Sequence, residues 1–151
     1  MGSLGFQESL LILFTAGLFI IPFVFFLLTL QNTLKVIEAS NRKMEPGKVW
    51  LLFIPFFSFY WMFVVVNAIA GSSKLQLEQY GVYSEEKPTY SLGLPLAICY
   101  ACTLIPIVNI LASLAWIVLF ILYWIKVNET KNQIVMMKQT FANNEENSIF
   151  K

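Results

Sequence analysis

The sequence predicts an all-α, polytopic integral membrane protein with four transmembrane helices, three being the alternative. Three observations predict it. Of 151 residues, 58% are hydrophobic and only 13% are charged, whereas a soluble domain carries about 25% charged residues. Three long stretches, Ser9–Leu34, Val49–Ser73 and Pro88–Ile125, hold no charge at all. Every Lys and Arg falls between or after these stretches, and none precedes the first. A helix needs about 20 apolar residues to cross a hydrocarbon core of about 30 Å. Soluble cores do not require three such runs in a chain of this length.

The expected domain is 1–142, with spans at about 10–34, 49–73, 91–105 and 109–127 and a disordered polar tail at 143–151. In the first span, Leu10–Leu30 is apolar but for Thr15, Gly17, Pro22 and Thr29. It exceeds the apolar core of about 7–15 residues of a signal peptide and lacks basic residues before it, so it reads as a retained helix. The loop Asn41–Lys48 follows, with Pro46-Gly47 suited to the centre of a type II turn. The second run, Val49–Ala70, fits one crossing.

The third run decides the topology. As a single helix, Leu92–Val127 would be roughly 54 Å long, too long for a bilayer even with strong tilt. Pro106 and Asn109 interrupt it near the middle, because proline removes a backbone donor and asparagine favours turns. A helical hairpin gives four crossings, and a kinked helix gives three. Lys and Arg divide 8 to 2 between the two sides with three crossings and 4 to 6 with four. Positive charge therefore favours three, while length favours four, the reading adopted. Past Val127 the helical spacing continues to Ala142 along the interface.

A short internal repeat bears on the same point. Leu104-Ile105-Pro106-Ile107-Val108-Asn109-Ile110 echoes Phe53-Ile54-Pro55-Phe56-Phe57-Ser58-Phe59. If the copies are equivalent, Pro55 and Pro106 mark turns or kinks that each begin a helix descending from the same side.

Composition also bounds the chemistry. A net charge of +1 excludes a strongly basic nucleic-acid binder. With no His, a His-based triad, a His-ligated metal and an imidazole switch are unavailable. No catalytic set, cofactor or metal site is expected. Cys99 and Cys102 form a C-x-x-C pair on one helix face, but no second thiol pair exists to pass electrons onward and no Lys, Arg or His lies close in sequence. They read first as small polarizable packing residues. Asn67 and Asn109 are candidates for a polar core, since asparagines within spans usually hydrogen-bond between helices. Ala97 with Ala101, and Ala68 with Ser72, form small-xxx-small pairs that let helices approach closely.

The stretch Asn41–Phe57, with its basic Pro-Gly loop, Trp50 and the Ile54-Pro55 turn, resembles a segment of small polytopic membrane proteins of unknown function common in Bacteroidota. Leu104-Ile105-Pro106-Ile107 and Tyr123-Trp124-Ile125-Lys126 are similar too, and the resemblance covers roughly residues 35–130. It implies a multi-pass protein of a bacterial inner membrane with four helices, and no activity. The expected function is non-enzymatic: a subunit or scaffold of a membrane assembly, packing in the bilayer against other membrane proteins or itself. A small transporter or channel, possible as an oligomer, is the alternative, and a thiol redox membrane enzyme a third.

Overall fold

The computed structural model describes residues 5–82 and 87–149. Among them, all regular structure is helical: α1 (Phe6–Val36), a 3-10 helix (Pro46–Phe53), α2 (Phe57–Gln79), α3 (Tyr90–Cys102) and α4 (Asn109–Ile149). Two helices, Phe6–Val36 and the Asn109–Asn144 part of α4, are long and apolar enough to cross a membrane.

α1 accommodates its polar residues internally. The hydroxyls of Thr15, Thr29 and Thr33 donate to the carbonyls of Leu11, Phe25 and Thr29, so none breaks the helix. Pro22 lies inside the helix without ending it. From Phe26 onward α1 enters the core with Leu27, Leu30 and Leu34, all fully buried. Its N-terminal half is different: Leu11, Leu13, Phe14, Leu18 and Phe19 are exposed.

The stretch 49–73, expected as one span, is not one helix. The 3-10 segment begins at Pro46 and ends ahead of Pro55, which biases Ile54 to an extended conformation, ψ 112°. The chain then reverses through Phe56, at φ 63°, and α2 runs back. Three bonds record the reversal. Trp61 Nε1 donates to Lys48 O at 2.8 Å, Lys43 N to Ser72 Oγ at 2.8 Å, and Glu38 N to Gln76 Oε1 at 2.7 Å. As α2 advances, its partners recede along the sequence, so the two limbs are antiparallel. Hydropathy could not reveal this, because Val49 and Leu52 are buried as thoroughly as a spanning helix would require.

The third run is a hairpin and not a kinked helix. Gly93 lies against Tyr123, while Tyr100 lies 5.9 Å from Trp116, so α3 and α4 are antiparallel. The expected 91–105 shortens to Tyr90–Cys102, and the expected 109–127 becomes the first part of a 41-residue α4. The helix continues through Ile149, which corrects the disordered tail expected from 143 as far as the described residues reach. α4 runs in the same direction as α1. Phe26 and Phe120 are 4.6 Å apart, Trp124 Nε1 donates to Thr29 Oγ1 at 2.9 Å, and Ile37 shares a small core with Ile134.

The architecture is thus α1 plus two hairpins that open toward the C-terminal end of α1, each with an Ile-Pro turn at its tip. The tips are linked where Ser58 Oγ and Tyr100 OH lie 3.0 Å apart and Phe59 stacks on Tyr100 at 4.5 Å. The internal repeat has this physical meaning: each copy begins a helix returning to the same end. Because Phe56 carries a side chain at positive φ, Phe56→Gly is expected to relieve strain of about 1 kcal/mol. The check is a rise in the thermal unfolding midpoint in detergent; an unchanged or lower midpoint would count against strain at this turn.

Candidate functional site

Three features of the fold could carry function. The first is the seam where α3 meets α2 and α4. A Cβ on Gly93 would lie 2.5 Å from Val66 Cγ1 and 2.7 Å from Tyr123 Cε2. Only glycine fits there. One turn on, Ala97 is fully buried on the same face, while Ala101 is half-buried. Ala68 is buried on α2, and the buried Ser72 hydroxyl accepts the Lys43 N–H. Ala97, Ala68 and Ser72 therefore serve contacts within the chain. Gly93 was missed by the sequence reading, although Gly93-Ala97-Ala101 extends the same i, i+4 series.

The second feature is a polar knot at the open end of the hairpins. Gln76 is fully buried, and its Oε1 accepts both Glu38 N at 2.7 Å and Asn41 Nδ2 at 3.2 Å. Gln79 Nε2 donates to Glu38 Oε2 at 3.0 Å. Arg42 donates through Nε to Ile37 O and through Nη2 to Lys35 O, so its guanidinium staples the end of α1. Beside the knot, burial first and the Glu38 charge second push the Tyr80 hydroxyl pKa up, against the lowering influence of the Gln76 amide. A shallow depression of about 310 Å³ adjoins, bordered by Arg42, Lys43, Met44 and Lys48. Lys48 there pairs with the exposed Glu45 at 3.4 Å.

The third feature is an apolar cleft of about 550 Å³ between the N-terminal half of α1 and α4. Leu18, Phe19 and Phe23 form one wall and Trp116, Phe120 and Trp124 the other. The Trp116 Nε1 is buried without a hydrogen-bond partner. Such a wall suits an apolar occupant and offers nothing to a charged one.

The two asparagines do not form a polar core. Asn67 is exposed on α2, where its Oδ1 accepts Lys87 Nζ at 3.2 Å. Asn109 is exposed at the start of α4 and accepts the Ser113 hydroxyl at 2.9 Å. The buried polar positions are instead Ser58, Thr33, Gln76 and Thr130 among others, most of them bonded locally or to the backbone. Pro55 and Pro106 lie at the hairpin tips. Cys99 and Cys102 are free and half-buried near the end of α3. Among the described residues, no group of three or more His, Cys, Asp or Glu gathers to hold a metal.

The fold and these features define an all-helical protein with two candidate membrane-crossing helices. No protein family matches the chain, and no curated protein or solved structure does either.

Proposed function

We propose that this is a non-enzymatic, multi-pass integral membrane protein that works by helix packing, as a subunit or scaffold of a membrane assembly. The observation that carries the reading is the N-terminal half of α1. It is apolar and exposed, and it splays from α4 to leave the aromatic-walled cleft open to one side. Water would make that surface costly, at about 25 cal/mol per Å², whereas a bilayer, or a second helix within one, covers it. The bacterial inner membrane suggested by the sequence resemblance is part of this proposal.

The distribution of positive charge supports one arrangement in the bilayer. All nine described cations, from Lys35 through Lys138, lie away from the hairpin tips, in the loops and limbs toward the open end and, for Lys126, Lys131 and Lys138, within α4 beyond its first four turns. Neither hairpin tip carries a charge. In this reading α1 crosses once, the 3-10–α2 hairpin enters and leaves on the same side, and α3 with α4 crosses and returns. The conflict between length and charge then disappears, since every cation lies on the cytoplasmic side.

Two experiments test this. Reporter fusions at Asn41 and at Asn143 are expected to report the same, cytoplasmic side; opposite sides would sink the arrangement. For the assembly itself, a photo-crosslinking residue at Phe19 in the intact membrane is expected to capture a protein partner, and native mass determination in mild detergent to show its stoichiometry. A monomer with no crosslinked protein would reject the subunit reading.

A further inference from the structure

We infer that the protein is a membrane wedge, wider in the leaflet at its cationic end, and that it concentrates in bilayers curved convex toward that end. The inference rests on the membrane reading proposed above and adds to it a preference for the shape of the lipid surface.

The argument is one of lengths. The first hairpin tip lies beside Phe23, where Phe53 meets that ring at 5.3 Å. From Phe23 to Lys35 is about 18 Å of helix, and the 3-10 limb spans about 16 Å. The tip therefore ends near the middle of a core of about 30 Å. α4 is longer: Asn109 to Lys126 is about 26 Å. Its tip passes the first by several residues, and α1 continues beyond both. In the leaflet on the cationic side the chain presents five helical segments: α1, the 3-10 helix, α2, α3 and α4. In the other it presents only α1 and the end of the α3–α4 hairpin.

The first tip is built for hydrocarbon. Phe53, Ile54 and Phe56 are exposed, Phe56 by 82%. Most of its backbone donors are nevertheless satisfied, with Ile54 N bonded to Leu51 O, Phe57 N to Pro55 O and Ser58 N to Ile54 O, while Pro55 has no N–H and the Phe56 N–H is the exception. In lipid no water serves free N–H groups, so these bonds lower the cost of placing the turn there. A segment that fills one leaflet and stops midway displaces lipid from that leaflet alone. The cationic rim around Arg42, Lys43 and Lys48 holds the wide end at the headgroups.

The test uses the full chain, fluorescently labelled and reconstituted into vesicles from small sonicated to large extruded sizes, of zwitterionic lipid with an anionic fraction. Orientation is read from protease access to the C-terminal half of α4. Molecules with the cationic end outward are expected to be enriched several-fold per unit area on the smallest vesicles. Molecules in the opposite orientation are expected to be depleted there. Equal density at all sizes, in protein that resists carbonate extraction, overturns the wedge and leaves the membrane reading standing. Release of the protein by carbonate overturns the membrane reading itself. A second measurement fixes the tip depth. A fluorophore on Phe56→Cys, in a Cys99→Ala, Cys102→Ala background, is expected to be quenched most by lipids labelled near the chain ends. Strongest quenching by headgroup-labelled lipid overturns the wedge even if the size series is ambiguous in sign.

Discussion

Gly93→Ala is expected to destabilise the protein by about 1–3 kcal/mol, the range for overpacking a tight interior, and Gly93→Leu to prevent assembly of α3 against its neighbours. The added Cβ would meet Val66 and Tyr123, a β-branched side chain and a fully buried ring, at 2.5 and 2.7 Å. Neither can move without displacing α2 or α4. Gly71 is the internal control. A Cβ there meets the Lys43 side chain at 2.8 Å, but the contacting atoms belong to its flexible end. Gly71→Ala should be close to neutral. Thermal unfolding in detergent, with size-exclusion profiles before heating, separates the two. Equal midpoints for Gly93→Ala and Gly71→Ala would show that α3 does not depend on a glycine to seat.

Gln76→Leu is expected to cost about 1–3 kcal/mol, because it keeps the side-chain bulk and removes the acceptor. Glu38 N depends on Gln76 Oε1, while Asn41 Nδ2 is shared between Gln76 Oε1 and Gln79 Oε1, and the same loop is anchored by Arg42 on the carbonyls of Ile37 and Lys35. The loss should show first as faster proteolysis between Glu38 and Lys48, ahead of any change in global unfolding. If Gln76→Leu left both proteolysis and the unfolding midpoint unchanged, the polar knot would contribute nothing to holding α2 against the end of α1.

Some of this was legible in the residues and some was not. The uncharged runs mark which segments avoid water, and the break at Pro106 and Asn109 divides the third run where the hairpin turns. The small residues at Ala97, Ala68 and Ser72 are at buried positions because small side chains let backbones approach, a requirement visible as spacing. Asn67 misleads for a physical reason. Its depth within an apolar run implied a buried partner, but the turn at Pro55 divides that run and leaves α2 as the return limb of a hairpin. Lys87, from the linker that follows, then reaches the asparagine at the surface. Gln76 was not singled out because its importance depends on Glu38 and Asn41, which lie 38 and 35 residues away in the chain.

The sequence by itself determined the helical class, the apolar runs, the two Ile-Pro breaks and the positions of the cations along the chain, because each depends on local composition or on one residue's backbone chemistry. Only the tertiary structure decided that the second run folds back on itself, that α4 runs parallel to α1, and that both hairpins open at one end. Those outcomes depend on which faces meet across the core, such as Trp124 on Thr29 and Tyr123 against Gly93. Hydropathy is the same for a run that forms one helix and one that folds back on itself, so direction had to come from side chains distant in the sequence.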